Sequence, residues 1–321
     1  MQYDEGTVSS WAEPTSWTGW RRATIWRMTG LLTDQAADLA AVFSAARCRG
    51  FVHVVDLNTG REVGLDPDEP VVSASTFKVA VALEVFCQAA EGRFSLTDRM
   101  TVPSQGRALG PTGLSVMRDP VELSIRDLAL SMITVSDNCA TDVMGDLVGL
   151  DRVQARLDGL GLHRTRIPHD CRGIFATAAE DLGIAADLAD LPQDEEILAG
   201  LRWVDPAQTN ASTPREMTTL LSLIWADGAG PAEACAQVRE VMGLQVWPHR
   251  LTSGFPADVQ LAGKTGTLPS VHNEVAVATW PDGGRYAVAV FARSTCIPTH
   301  QPAVDAAIGR AGRLAVDALR S

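Results

Sequence analysis

The run Val79-Ala80-Val81-Ala82-Leu83 is apolar on every side of a helix, so the chain has to fold with other elements packed around its whole circumference. Just ahead of this run stands Ser75-Thr76-Phe77-Lys78, which puts a hydroxyl and an amine at the entrance to a buried helix. Only two of the 27 basic residues are lysines, Lys78 and Lys264. Arginine keeps its proton in a protein, whereas a desolvated lysine can release one, so the two lysines mark places where an amine acts as a base or as a compact point charge. Positions i and i+3 share a helix face, which brings Lys78 alongside Ser75, where first-turn N–H groups point at any developing oxyanion. A nucleophile, a base and an electropositive cradle thus fall within four residues. A lone Ser-x-x-Lys would read as an N-cap serine and a solvated lysine; the lysine count and two further motifs set that aside.

A chain of 321 residues is long enough for two subdomains around a sizeable core, and 46% hydrophobic with 21% charged residues is an ordinary globular composition. The net charge of −12, with no basic stripe, excludes nucleic acid as a partner. No stretch has the length of apolar sequence that a membrane span requires. The six cysteines are scattered, with no Cys-x-x-Cys pair, which supports neither a zinc site nor a redox motif. In the absence of a signal-peptide pattern the expected setting is cytoplasmic, with reduced thiols. Residues 1–30 read as a disordered or loosely docked arm, and residues 1–27 hold four of the eight tryptophans, Trp11, Trp17, Trp20 and Trp26.

From Leu31 the pattern is orderly. Leu32 to Ala46 has helical periodicity, Phe51 to Val55 reads as a strand running into the Asp56–Gly60 turn, and Glu62 to Leu65 as its return. Helices are predicted over Phe77–Ala90, Ile125–Val135, Cys139–Val148, Leu150–Leu160, Pro214–Ala226 and Pro231–Gly243. Pro103–Pro120 reads as a loop beside the site, and 163–212 as mostly irregular, with an acidic stretch from Glu180 to Glu196. Strands are predicted at Val259–Leu261, Asn273–Thr279 and Tyr286–Arg293, and a closing helix at about Ala303–Leu319. Strands at both ends with helices between them predict an α+β fold. Its mixed or antiparallel sheet is flanked by N- and C-terminal helices, with an all-α domain inserted. The expected division is 31–73 with 218–321 for the sheet domain and 74–217 for the helical one.

Two more motifs follow the first. Ser136-Asp137-Asn138 sits between two apolar helices, and Lys264-Thr265-Gly266 on the strand that opens the C-terminal sheet. The ordered set Ser-x-x-Lys, Ser-Asp-Asn, Lys-Thr-Gly, which contains every lysine in the chain, resembles the signature of the class A β-lactamases and penicillin-binding proteins. The resemblance runs from about Leu31 to the C-terminus, and includes flanks such as Asp119-Pro120-Val121 and Thr213-Pro214-Arg215-Glu216-Met217. It implies an α/β domain made from both ends of the chain, an all-α domain, and a site in the cleft between them. It implies further that Ser75 attacks an activated acyl carbon, that Lys78 takes its proton, and that Ser136, near Lys264, passes a proton to the leaving nitrogen. Asn138 would meet an acylamino side chain, Thr265 and Gly266 would bind substrate, and Asp137 would tie down its own loop. The backbone N–H groups of Ser75 and Thr267 would form the oxyanion hole. Arg250 falls where some members carry a carboxylate-binding arginine, or is one more surface arginine.

One departure stands out. The family holds its deacylating water with a glutamate and an asparagine in the loop after the second motif, where this chain has Pro168-His169-Asp170-Cys171-Arg172-Gly173, with Cys171 nearest the glutamate and Phe175 nearest the asparagine. Asp170 or His169 could activate water instead, deacylation could be slow, or the acyl group could pass to an amine or alcohol. Cys171 reads as an inert buried thiol. The expected activity is hydrolysis of β-lactam amides through a Ser75 acyl-enzyme, by a monomer acting on a small molecule without metal or organic cofactor. The alternatives are an esterase, transacylase or peptidase on the same fold, or a sensor that stays acylated.

Overall fold

The computed structural model of the chain describes residues 31–184, 197, 200–294, 296 and 298–321; the N-terminal arm and most of the acidic stretch lie outside these. In chain order come α1 (Leu31–Ala45), β1 (Cys48–Asp56), β2 (Glu62–Leu65) and β3 (Val71–Val72), then a 3-10 turn at Ala74–Phe77 leading into α2 (Lys78–Ala90). The hairpin of β4 (Arg99–Val102) and β5 (Val121–Ser124) precedes α3 (Ile125–Thr134), α4 (Asn138–Val148), α5 (Leu150–Gly159) and α6 (Cys171–Leu182). After β6 (Ala211–Ser212) follow α7 (Pro214–Trp225), α8 (Ala232–Gly243) and α9 (Leu251–Gly254). The chain closes with β7 (Gln260–Leu268), β8 (Val271–Thr279), β9 (Arg285–Ser294) and α10 (Pro302–Arg320).

The apolar run fixes α2 as the axis of the helical half: every residue from Lys78 to Gln88 is buried. The five-stranded sheet has the order β2-β1-β9-β8-β7, and all its pairings are antiparallel. Both faces of its middle strands are covered, which is why β8 and β9 read as nearly continuous apolar runs rather than alternating ones. On one face Val52, Val54, Val288 and Val290 pack with Leu39 and Phe43 of α1 and Ile308 and Ala311 of α10. On the other, Phe51, Val275, Val277 and Phe291 join the core built around α2. No helix among the described residues is long and apolar enough to cross a membrane.

Two expectations change. The strand predicted at Val259–Leu261 runs on to Leu268, because main-chain pairing with β8 continues through Lys264-Thr265-Gly266 although those residues break the apolar pattern. Within 163–212, read from sequence as mostly irregular, the described residues include the helix α6, capped by Asp170, whose Oδ1 accepts from the Gly173 N–H at 2.7 Å. It ends at Gly183 with φ 64°, a left-handed stop that suits glycine. The i, i+3, i+7 spacing of buried Cys171, Ile174 and Ala178 was there to be read.

Candidate active site

Ser75 lies in the 3-10 turn just ahead of α2, part-exposed among buried neighbours. Ser73 O anchors that turn by accepting from the Thr76 hydroxyl at 2.7 Å and the Thr76 N–H at 3.1 Å. Ala74 is held at φ 44° and Ser136 at φ 61°, in the left-handed region that disfavours non-glycine residues. Such strain costs on the order of 1 kcal/mol or more per residue and persists only where the surroundings over-determine it. Here it borders the nucleophile turn on one side and the Lys78 acceptor on the other.

Lys78 is fully buried, and its Nζ donates to Ser136 O at 2.8 Å, Asn138 Oδ1 at 2.7 Å and Ser136 Oγ at 3.4 Å. Lys264, also fully buried, donates to the same Ser136 Oγ at 2.9 Å and to Thr265 O at 2.8 Å. Desolvation pulls both amines below the ordinary lysine range, Lys264 well below it, with the Lys78 charge as its next cause. Two amines on one hydroxyl in a dry site cannot both ionise cheaply, so one is poised to be neutral. The Ser75 hydroxyl makes no hydrogen bond among the described residues and stays free for chemistry.

β7 is the sheet's edge strand, so alternate N–H groups along it face away from β8. The Thr265 N–H points that way, into Gln245 Oε1, and the Thr267 N–H two residues on shares its direction. Gly266 lets this edge close on the nucleophile turn: a Cβ there would meet Ser73 O at 2.8 Å and Ser75 N at 3.0 Å. Both predicted oxyanion donors therefore meet at one junction. The Thr265 hydroxyl makes no hydrogen bond among the described residues.

The remaining predicted residues are held by hydrogen bonds of their own. Asn138 Nδ2 donates to Leu109 O at 2.6 Å and its carbonyl is taken by Lys78, so only a second Nδ2 hydrogen remains for a substrate. Asp137 accepts from Leu114 N, Ser131 Oγ and Ala140 N, tying three segments together. Arg250, expected at a substrate carboxylate or on the surface, is instead buried behind β7, donating to Asp305 Oδ1, Gly266 O, Asn273 O and Thr267 Oγ1 at 2.7 to 2.9 Å. Its fifth N–H faces His272 Nδ1 at 3.3 Å, which leaves no guanidinium donor for a ligand.

Cys171, which the sequence sets nearest the family's loop glutamate, has a buried thiol 3.5 Å from Asn138 Oδ1. Burial pushes it up to about 12, so it is a neutral thiol. Asp170 is occupied by the Gly173 N–H and by Arg172 at 3.2 Å, while the His169 main chain is clasped at both N–H and C=O by Asn210. Phe175 packs edge-on against Trp203, at 6.0 Å between centroids.

Three polar residues that sequence reading passed over support the site. Asp142, one turn after Asn138, accepts from the Cys171 and Arg172 N–H groups at 2.7 and 3.0 Å, and burial raises it to about 6. Glu274, fully enclosed behind β7, takes the Leu251 N–H and Gln245 Nε2, and burial raises it to about 7. The signal for Glu274 was His272-Asn273-Glu274, three polar residues inside a buried strand; Gln245 carried none. Among the described residues no group of three or more His, Cys, Asp or Glu is placed to hold a metal ion.

The sequence profile described as the Beta-lactamase enzyme family matches residues 34–319. The protein described as Beta-lactamase regulatory protein BlaB of Streptomyces cacaoi is 31% identical over 287 residues, covering 83% of this chain and 91% of its own length. A β-lactamase of Streptomyces albus G is 26% identical over 263 residues, 79% of this chain and 75% of its own. Among solved structures, a β-lactamase from Sphaerobacter thermophilus superposes with a TM-score of 0.72 at 25% identity, covering 89% of this chain and 97% of its own.

Proposed function

Because this chain belongs to the β-lactamase enzyme family, we propose that it is a serine hydrolase that opens β-lactam amides through an acyl-enzyme on Ser75, with deacylation as its slow step. The observation that carries the first part is the Ser136 hydroxyl, held between the only two lysines, both fully buried. Neutral Lys78 takes the Ser75 proton as Oγ bonds to the lactam carbon. The developing oxyanion lies between the Ser75 and Thr267 N–H groups, each such donor contributing roughly 3 to 4 kcal/mol. Ser136 delivers a proton to the nitrogen as the C–N bond breaks, and Lys264 and Lys78 restore it. Lys264 and the Thr265 hydroxyl hold the substrate carboxylate.

Deacylation is slow on this reading because a neutral thiol occupies the place of the water-activating carboxylate. Asp170, the alternative base that the sequence offers beside Cys171, already caps α6 and pairs with Arg172. A protein that acylates readily and releases its acyl group slowly is suited to sensing β-lactams, and the description of the Streptomyces cacaoi relative as a regulatory protein agrees with such a role. Intact-mass spectrometry during exposure to a chromogenic cephalosporin, with Ser75→Ala as control, tests this. The expected result is a stoichiometric colour burst with a long-lived adduct on Ser75. Continuous fast colour release would restore an ordinary β-lactamase, and no adduct with no colour would remove β-lactams as substrates.

A further inference from the structure

A second cavity, of about 180 Å³, opens on the face of the sheet that carries Phe51 and Phe291, and none of the cleft residues described above lines it. The strand register explains its make-up. Arg49 pairs with Arg293 and Phe51 with Phe291 across β1 and β9, while Val271 pairs with Arg293 and Asn273 with Phe291 across β9 and β8. With side chains alternating along each strand, all six share one face: Phe51, Phe291 and Val271 form an apolar floor, Arg49, Arg293 and Asn273 are its polar groups, and exposed Glu69 also lines the cavity.

Two of those polar groups are incompletely matched. Asn273 is 1% exposed, and its Nδ2 donates to both Val72 O and Ser73 O. Two carbonyl acceptors fix which end of the amide is nitrogen, so the other end is an acceptor, and Oδ1 has no hydrogen-bond partner. A buried acceptor left unmatched calls for a donor. Arg293 is half-buried, and among the described residues it donates only to Val204 O and has no carboxylate within salt-bridge distance. Desolvation lowers it from the ordinary arginine range, against the opposing charge of Asp205, which lies beyond salt-bridge distance. Arg49, by contrast, sits exposed at the rim on Asp66 and over the Phe51 ring.

An unmatched acceptor and a cation whose one hydrogen bond among the described residues goes to a main-chain carbonyl, set diagonally on neighbouring strands above an apolar floor, require opposite things of one ligand. A carboxylate answers Arg293, an ammonium answers Asn273 Oδ1, and an apolar side chain covers Val271 and the two phenylalanines. The cavity is smaller than the roughly 300 to 1,000 Å³ of drug-sized sites, which limits the ligand to a compact one. We propose that this cavity is a binding site for a small apolar α-amino acid, held by Arg293 and Asn273. This site is separate from the Ser75 chemistry and does not depend on β-lactams being the substrate.

Asn273 also supports the nucleophile turn through Ser73 O, so Arg293 is the position to substitute. L-leucine is the probe, titrated by calorimetry into the full chain beside 4-methylpentanoate, which lacks the amine, and 3-methylbutylamine, which lacks the carboxylate. The expected result is saturable leucine binding that weakens about tenfold or more for each analogue, and likewise for leucine in Arg293→Gln, since each change removes a charge-assisted contact. Leucine binding should also survive Ser75→Ala and prior acylation by a cephalosporin. No saturable binding, equal binding of the analogues, or loss of leucine on acylation would each overturn the proposal. The three-ligand comparison on the unsubstituted protein decides it even if Arg293→Gln does not fold.

Discussion

Cys171 and Lys78 converge on one atom: Asn138 Oδ1 accepts from the Lys78 amine at 2.7 Å and faces the Cys171 thiol at 3.5 Å. The thiol reaches the edge of the catalytic groups because Asp142 and Asp170 together hold the first N–H groups of α6, which fixes the start of that helix against α4. A side chain one residue away on either side would point elsewhere. The identity of residue 171 therefore decides what faces the acyl-enzyme.

Cys171→Glu is expected to shorten the lifetime of the Ser75 adduct at least tenfold. A carboxylate there would sit beside Lys78 and could activate water, an effect typically worth 10²- to 10⁴-fold. The decay of the adduct mass after removal of excess cephalosporin measures it. A lifetime equal to that of the unsubstituted protein would show that the thiol is not what limits turnover.

The acylation rate should rise with pH, with its midpoint below the 10.5 of an ordinary lysine. Lys78 acts as a base only when neutral, and burial lowers its folded-state affinity for a proton, so the active form appears at lower pH than for a free amine. Stopped-flow acylation across pH checks the sign, and Lys78→Arg, which cannot deprotonate, should lose at least 100-fold at every pH. A midpoint at or above 10.5 would contradict the role.

Gly266→Ala should slow acylation by roughly 100-fold or more, the scale of losing one oxyanion donor. The new Cβ would press on Ser73 O, Ser75 N and the Ala74 side chain, and two of these are main-chain atoms with no rotamer to yield. The strand must back away from the turn. A variant acylating at the normal rate would place the oxyanion elsewhere.

Stability should fall as pH rises from about 4.5 to about 7 through Glu274. Its folded value is raised from 4.5 to about 7, so within that window the unfolded chain ionises while the folded chain keeps its proton, and unfolding gains. The difference amounts to about 3 kcal/mol, complete above pH 7 and absent below 4.5. Urea unfolding of the protein and of Glu274→Gln at several pH values gives the comparison. Parallel stability curves for the two would exclude the effect.

Much of this protein is determined locally. The all-round apolar run specifies α2 as a buried axis, and the Asp56–Gly60 turn between apolar strands specifies the first hairpin; both were legible because burial periodicity and turn chemistry act over a few residues. Among the residues the three motifs named, Lys78, Ser136 and Lys264 are joined by hydrogen bonds at the Ser136 hydroxyl. The full length of β7 was harder to see, since a strand carrying Lys-Thr-Gly departs from those local patterns while pairing with β8 holds it in place, whereas α6 carried a local signal in its Asp170 cap and apolar spacing.

What sequence alone left open is set by distance and desolvation. Lys264 reaches Ser136 from 128 residues away, and only the folded chain buries both amines and lowers their affinity for a proton. Arg250 showed no sign in sequence of being turned inward, because its place depends on Asp305, Gly266 and Asn273 arriving behind the same strand. The same holds for the unmatched Asn273 Oδ1 and for Arg293, which among the described residues donates only to the Val204 carbonyl. An unmatched polar group is defined by what fails to reach it, and that is decided only when all the surrounding elements have packed.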